Sequence, residues 1–101
     1  MPAGLNALQK AAWRDIVAAL DADELLDRCD AGLIEYAAVM LGRAREAGTV
    51  VDREGLLVVN ARGRTVEHPA VRLEREALGF FRELASSFGL SPAGRARLRL
   101  A

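Results

Sequence analysis

Cysteine occurs once in this chain of 101 residues, and so do tryptophan, tyrosine, histidine and lysine. A lone Cys29 rules out an intrachain disulfide and fits a reducing compartment. The only lysine, Lys10, falls on the first predicted helix, so no phosphate-binding loop of the form G-x-x-x-x-G-K-[ST] exists and nucleotide hydrolysis is excluded. Cys29 and His68 cannot build a zinc site between them, because a tetrahedral site needs two more ligands in suitable spacing. The acidic residues are scattered over predicted helix faces and turns, where they read as solvated charge. The expectation is therefore no catalytic residue, no metal and no cofactor. No apolar run approaches the roughly 20 residues that cross a bilayer, and no charged segment followed by an apolar block marks a signal peptide. Membrane insertion is not expected, and a cytoplasmic location is. Internal repeats and low-complexity segments are absent as well.

What is present is a chain that is 51% apolar, enough for a packed core and too much for a disordered tail. One domain over residues 1–101 is expected, and a domain this small buries only about 60–65% of the surface of its unfolded chain. The formal charge is zero, but it is unevenly spread. Residues 1–47 carry five basic and eight acidic side chains, a net of −3, and residues 48–101 carry nine and six, a net of +3. From Ser91 onward there are three arginines, Arg95, Arg97 and Arg99, and no acid. Thirteen of the fourteen basic residues are Arg. The planar guanidinium suits bidentate phosphate binding, although an Arg-favouring codon bias produces the same count.

Hydrophobic spacing predicts a helix from about Leu5 to Leu20, with Leu5, Leu8, Ala12, Trp13, Ile16, Val17 and Leu20 on one face and Trp13 in the core. Asp21–Leu26 reads as a connector, and Asp27 or Asp30 can cap the next helix. That second helix should continue to about Ala47, with Leu33, Ile34, Ala37, Met40, Leu41 and Ala44 facing inward and Gly48 as its stop. The helix pair thus occupies residues 5–47. Thr49–Val51, Leu56–Val59 and Arg64–Val66 are β-prone, separated by Asp52-Arg53-Glu54-Gly55 and Asn60-Ala61-Arg62-Gly63, which place Asx first and Gly last as turns do. The expectation over 49–67 is a β-hairpin or three-stranded meander. Pro69 opens a long helix over 69–88, with Gly89 as its left-handed cap. Ser91-Pro92 then starts a short basic segment over 91–100. The predicted fold is mostly α with a small β insertion: helix pair, β-ribbon, long helix, short C-terminal helix.

On the long helix, Leu73, Ala77, Phe80, Phe81, Leu84 and Phe88 form the apolar stripe, broadened by Leu78 and Ala85. Glu74 falls inside that arc and has no partner along its own helix. It either sits exposed at the edge or pairs with an Arg from elsewhere. His68 precedes Pro69 and reads as a residue flanking a helix start.

His68-Pro69-Ala70 opening a long helix, then Phe88-Gly89-Leu90-Ser91-Pro92 and Arg95-Ala96-Arg97-Leu98, together resemble the C-terminal signature of phage terminase small subunits. Ala12-Trp13, Ile16-Val17, Leu20, Leu25-Leu26, Tyr36 and Gly48 fall where that family places similar residues. The resemblance spans about residues 7–100. It departs at the start: the family carries a Pro-rich and basic lead before the first helix, and here the helix begins almost at once. Either the lead has been trimmed or this is a short member, and any DNA contact it makes is missing.

The resemblance implies a non-enzymatic protein of the host cell cytoplasm that forms a homo-oligomeric ring, binds viral double-stranded DNA and modulates the terminase large subunit, which holds the ATPase and nuclease. Repeated around a ring, one Arg per subunit becomes a circle of positive charge with salt-dependent affinity for phosphates. The candidates are Arg62 and Arg64 on the ribbon and Arg95, Arg97 and Arg99 on the tail, with Arg72, Arg75 and Arg82 second. For the subunit interface they are Leu73, Glu74, Ala77, Leu78, Phe81 and Leu84 of the long helix with Leu56 and Val58 of the ribbon, whose open edges invite pairing. Two rival readings are a helix-turn-helix DNA-binding regulator using the first helix pair, which is acidic and so unlike a recognition element, and a structural oligomeric module that meets only protein.

Overall fold

The structure is a computed structural model that describes residues 1–98. Its elements run α1 (Ala7–Ala22), a 3-10 turn (Leu26–Arg28), α2 (Ala31–Glu54), β1 (Leu57–Val59), β2 (Thr65–Glu67), α3 (Pro69–Ser87) and α4 (Pro92–Arg97). The fold is mostly α with one β-hairpin, as the sequence predicts. α2 and α3 lie antiparallel on either side of the hairpin, α1 packs on α2, and α4 packs on α1.

Each of the three long helices begins where local chemistry supplies partners for its first N–H groups. Asn6 and Gln9 form a capping box: Asn6 Oδ1 accepts from Gln9 N at 2.9 Å and Gln9 Oε1 from Asn6 N at 3.1 Å. Asp30, one of the two expected caps, accepts from Gly32 N (2.7 Å) and Leu33 N (3.1 Å). At α3, Pro69 takes the first helical position and His68 is the cap.

α2 is longer than its sequence pattern suggests. It passes straight through Gly48 and ends seven residues beyond the expected Ala47, at Glu54, so Thr49–Val51 is helical and Asp52–Glu54 is its last turn rather than a strand connection. β-branched residues cost a helix only tenths of a kcal/mol. Burial of Val51 against Ala47 and Ala70 outweighs that cost. Thr49 Oγ1 also bonds back to Arg45 O at 2.9 Å, one turn earlier. The residue that stops the helix is Gly55, whose φ of 91° no L side chain adopts readily. The β insertion is accordingly a two-stranded hairpin, with register Leu57↔Glu67, Val58↔Val66 and Val59↔Thr65. Its loop is the expected one. Asn60 Oδ1 accepts from Arg62 N (2.9 Å) and Arg64 N (3.0 Å), and Gly63 turns the chain at φ 75°.

The core joins Ala12, Ile16 and Leu20 of α1 to Ile34, Ala37 and Leu41 of α2 and to Phe81 and Ala85 of α3, closed by Leu90 and Leu98 around α4. Trp13 packs against it half-buried. Leu33 departs from the expected inward set and is 45% exposed.

Candidate functional site

The base of the hairpin is fixed by one imidazole. His68 Nδ1 accepts from Ala70 N at 2.9 Å, so that nitrogen carries no proton and Nε2 must carry one. Nε2 donates to Glu54 Oε1 at 3.1 Å, tying the start of α3 to the end of α2. The His68 bond, and after it the Arg53 bond, hold the Glu54 carboxyl below its ordinary pKa of 4.5. His68 N also donates to Leu56 O at 2.7 Å. From this anchored base the hairpin extends with both strands exposed except for half-buried Val58.

The candidate cations do not gather at one place. Arg62 and Arg64 stand exposed at the hairpin tip, their backbone N–H groups held by Asn60, and neither joins an ion pair among the described residues. Arg95 is half-buried on α4, Arg97 ends that helix, and Arg99 lies outside the described residues. The length of α3, about 28 Å, separates the hairpin from Ser91, where the C-terminal segment begins. Ser91 N and Oγ both donate to Asp23 Oδ2 (3.1 and 2.9 Å), which fastens that segment to the end of α1. Arg72, Arg75 and Arg82 are exposed on α3, with Arg72 at 3.7 Å from Glu76.

The residues expected at a subunit contact divide among three surroundings. Leu73 and Ala77 line a groove of about 650 Å³ between α2 and α3, together with Tyr36, Met40, Val50 and Phe80. Glu74 and Leu78 line a cleft of about 750 Å³ on the other side of α3, with Asp15, Arg45 and Asp52. Glu74 is half-buried there, its Oε2 3.0 Å from where a β-carbon on Gly48 would stand, and it makes no ion pair among the described residues. It is neither fully exposed at an edge nor paired with an Arg among the described residues. Gly48 is thus a packing residue rather than a stop. Phe81 belongs to neither side: it is fully buried in the chain's own core, with Leu84 packed beside it, so its ring has no surface to offer a second copy. Leu56 is 64% exposed on the hairpin.

Sequence reasoning missed the groove's α2 wall, because Tyr36 and Met40 sit on a helix already assigned to the core. The available signal was that Leu33, Tyr36 and Met40 recur at the helical period on a face distinct from Ile34, Ala37 and Leu41. Among the described residues no three His, Cys, Asp or Glu side chains meet as metal ligands would. Burial pushes the Cys29 thiol up, away from a reactive thiolate. Among the same residues no helix is long and apolar enough to cross a membrane.

Fold and surface together describe a small helical protein that displays an apolar groove and separated cationic points. A family model described as "Phage terminase, small subunit" matches residues 10–101, and the chain belongs to that family. Viral DNA packaging follows from this membership, and the family is generally non-catalytic. Neither the curated proteins nor the solved structures contain a match.

Proposed function

We propose that the protein is a non-enzymatic DNA-binding component of the viral packaging machine: copies close into a ring, engage viral double-stranded DNA, and present it to the large subunit in the host cytoplasm. The family match over residues 10–101 carries this reading. The exposed apolar side chains along α2 and α3 support assembly, because a chain this small leaves Tyr36, Leu73 and Phe80 about half uncovered on one face. The exposed guanidinium groups of Arg62 and Arg64, in no ion pair among the described residues, support phosphate contact. The helix-turn-helix alternative loses ground, because α2, which would be its recognition helix, is packed between α1 and α3.

The test is native mass spectrometry of the purified protein together with binding to random duplex DNA over a range of salt. A closed oligomer whose affinity falls as salt rises is expected. Replacing Arg62 and Arg64 with Ala, or Arg95, Arg97 and Arg99 with Ala, separates the two cationic regions. Whichever set touches DNA should flatten the slope of log K against log salt by about 0.9 per lost phosphate contact. A monomer at tens of micromolar refutes the ring. An oligomer that ignores DNA leaves the structural module, and sharp sequence preference in the binding favours a regulator.

A further inference from the structure

Among the described residues, ten large apolar side chains are more than a third exposed, and seven of them fall on two features. One is the α2/α3 groove: Tyr36, Leu73 and Phe80. The other is the hairpin: Leu56, Leu57, Val59 and Val66. Both belong to the same chain, yet neither covers the other. A two-stranded hairpin with open faces is at best marginal in water and needs packing from outside itself. This one is anchored at its base alone, with Leu57 63% and Val59 69% exposed.

We infer that the hairpin of one copy seats Leu57 and Val59 in the α2/α3 groove of the next copy. The inference rests on the assembly reading above and names its contact. In a strand, alternate residues share a face, so Leu57 and Val59 point the same way, about 7 Å apart. Leu73 and Phe80 stand seven residues apart on α3, about 10 Å along its axis, and leave room for both between them. One opposite-charge pair is available to the contact as well. Glu67 pairs with Leu57 in the register and lies on the same hairpin face. Arg43 lines the groove, as do Glu46 and Glu76, and Glu76 lies 3.7 Å from Arg72, whereas neither Arg43 nor Glu67 has an ion-pair partner among the described residues. Docking by the strands leaves the tip, with Arg62 and Arg64, free for phosphate. A contact between two different patches propagates from copy to copy and ends only when a ring closes.

Two variants test this. Leu73→Arg blocks the groove and keeps the hairpin; Leu57→Arg spoils the hairpin and keeps the groove. Both sites are more than half exposed, so each chain should fold, and far-UV circular dichroism verifies it. Phe80→Arg and Val59→Arg serve as a second pair. Each variant alone should be monomeric by native mass spectrometry. An equimolar mixture should form a heterodimer, because one good contact remains between one chain's hairpin and the other's groove. If either member of both pairs keeps the wild-type assembly, or if two monomeric variants fail to combine, the docking is refuted while the ring stands. A monomeric wild-type protein refutes both.

Discussion

Gly42 and Gly79 each lie inside a long helix, and the same substitution at the two positions should change stability in opposite directions. Gly79 is exposed near the middle of α3, and a β-carbon there meets nothing within 4 Å. Gly79→Ala therefore gains helix propensity alone, about 0.5–1 kcal/mol. Gly42 is buried where α2 meets the first turn of α1, and a β-carbon there would stand 2.8 Å from Gln9 Cα and 3.0 Å from Gln9 N. Carbon atoms in contact prefer roughly 3.5–4.0 Å, so α1 must retreat by something near 1 Å. The nearest atom, Gln9 Cγ at 2.5 Å, belongs to a side chain that can turn away, but the two backbone atoms cannot be relieved that way. Overpacking of this kind costs about 1–3 kcal/mol. Set against the same propensity gain, Gly42→Ala should lose about 1–2 kcal/mol net. The two variants should differ by roughly 2–3 kcal/mol, which for a domain of this size means Tm values about 10–20 °C apart. Differential scanning calorimetry at one fixed protomer concentration reads this directly, the fixed concentration being needed because assembly raises Tm. Equal Tm values for the two variants would refute the close approach of α1 to α2. A destabilising Gly79→Ala would instead show that this face of α3 is packed in the assembly.

Phe81→Ala should cost about 3–5 kcal/mol and lower the urea midpoint at every protomer concentration, because its ring is inside the chain; a variant that dissociates with unchanged chain stability would place Phe81 at a subunit contact instead. Glu54→Gln should remove an acid-dependent contribution to stability. The folded carboxyl titrates below 4.5, so its contribution is complete above that pH and is lost as pH falls through the lowered value; urea unfolding of both proteins between pH 3 and about 7 should converge at the acid end. Asp23→Ala removes the acceptor of Ser91 N and Oγ, which should cost about 1–3 kcal/mol and speed hydrogen exchange in α4 while leaving α3 protected.

The parts of the fold legible in the sequence are those governed by nearby residues. Asp30, Asn60 and Gly63, and the His68-Pro69 pair in starting α3, act within four positions, and each does there what its type suggests. The end of α2 was not legible. Gly48 and the β-branched run after it favour a stop locally, and only contacts with Ala70 and Glu74, brought close by the return of α3, reverse the balance. The stripe on α3 was legible as a stripe, but not its division into core, groove and cleft, since a wheel shows that a side chain is apolar without showing which neighbour it meets. Leu73 and Phe81 are two turns apart and read alike; one is half exposed and the other fully enclosed. Glu74 was recognisable as misplaced in that stripe, while the glycine facing it lay on a different helix.

His68 braces the junction from which the hairpin leaves the helices, because one ring holds both the first turn of α3 and the last turn of α2. In a closed ring built through the hairpin, the angle at that junction is also the turn from one copy to the next. Rings differing by a single member differ by only a few degrees per copy. If such a ring forms, loosening the junction should yield a mixture of ring sizes from a chain whose fold is otherwise unchanged.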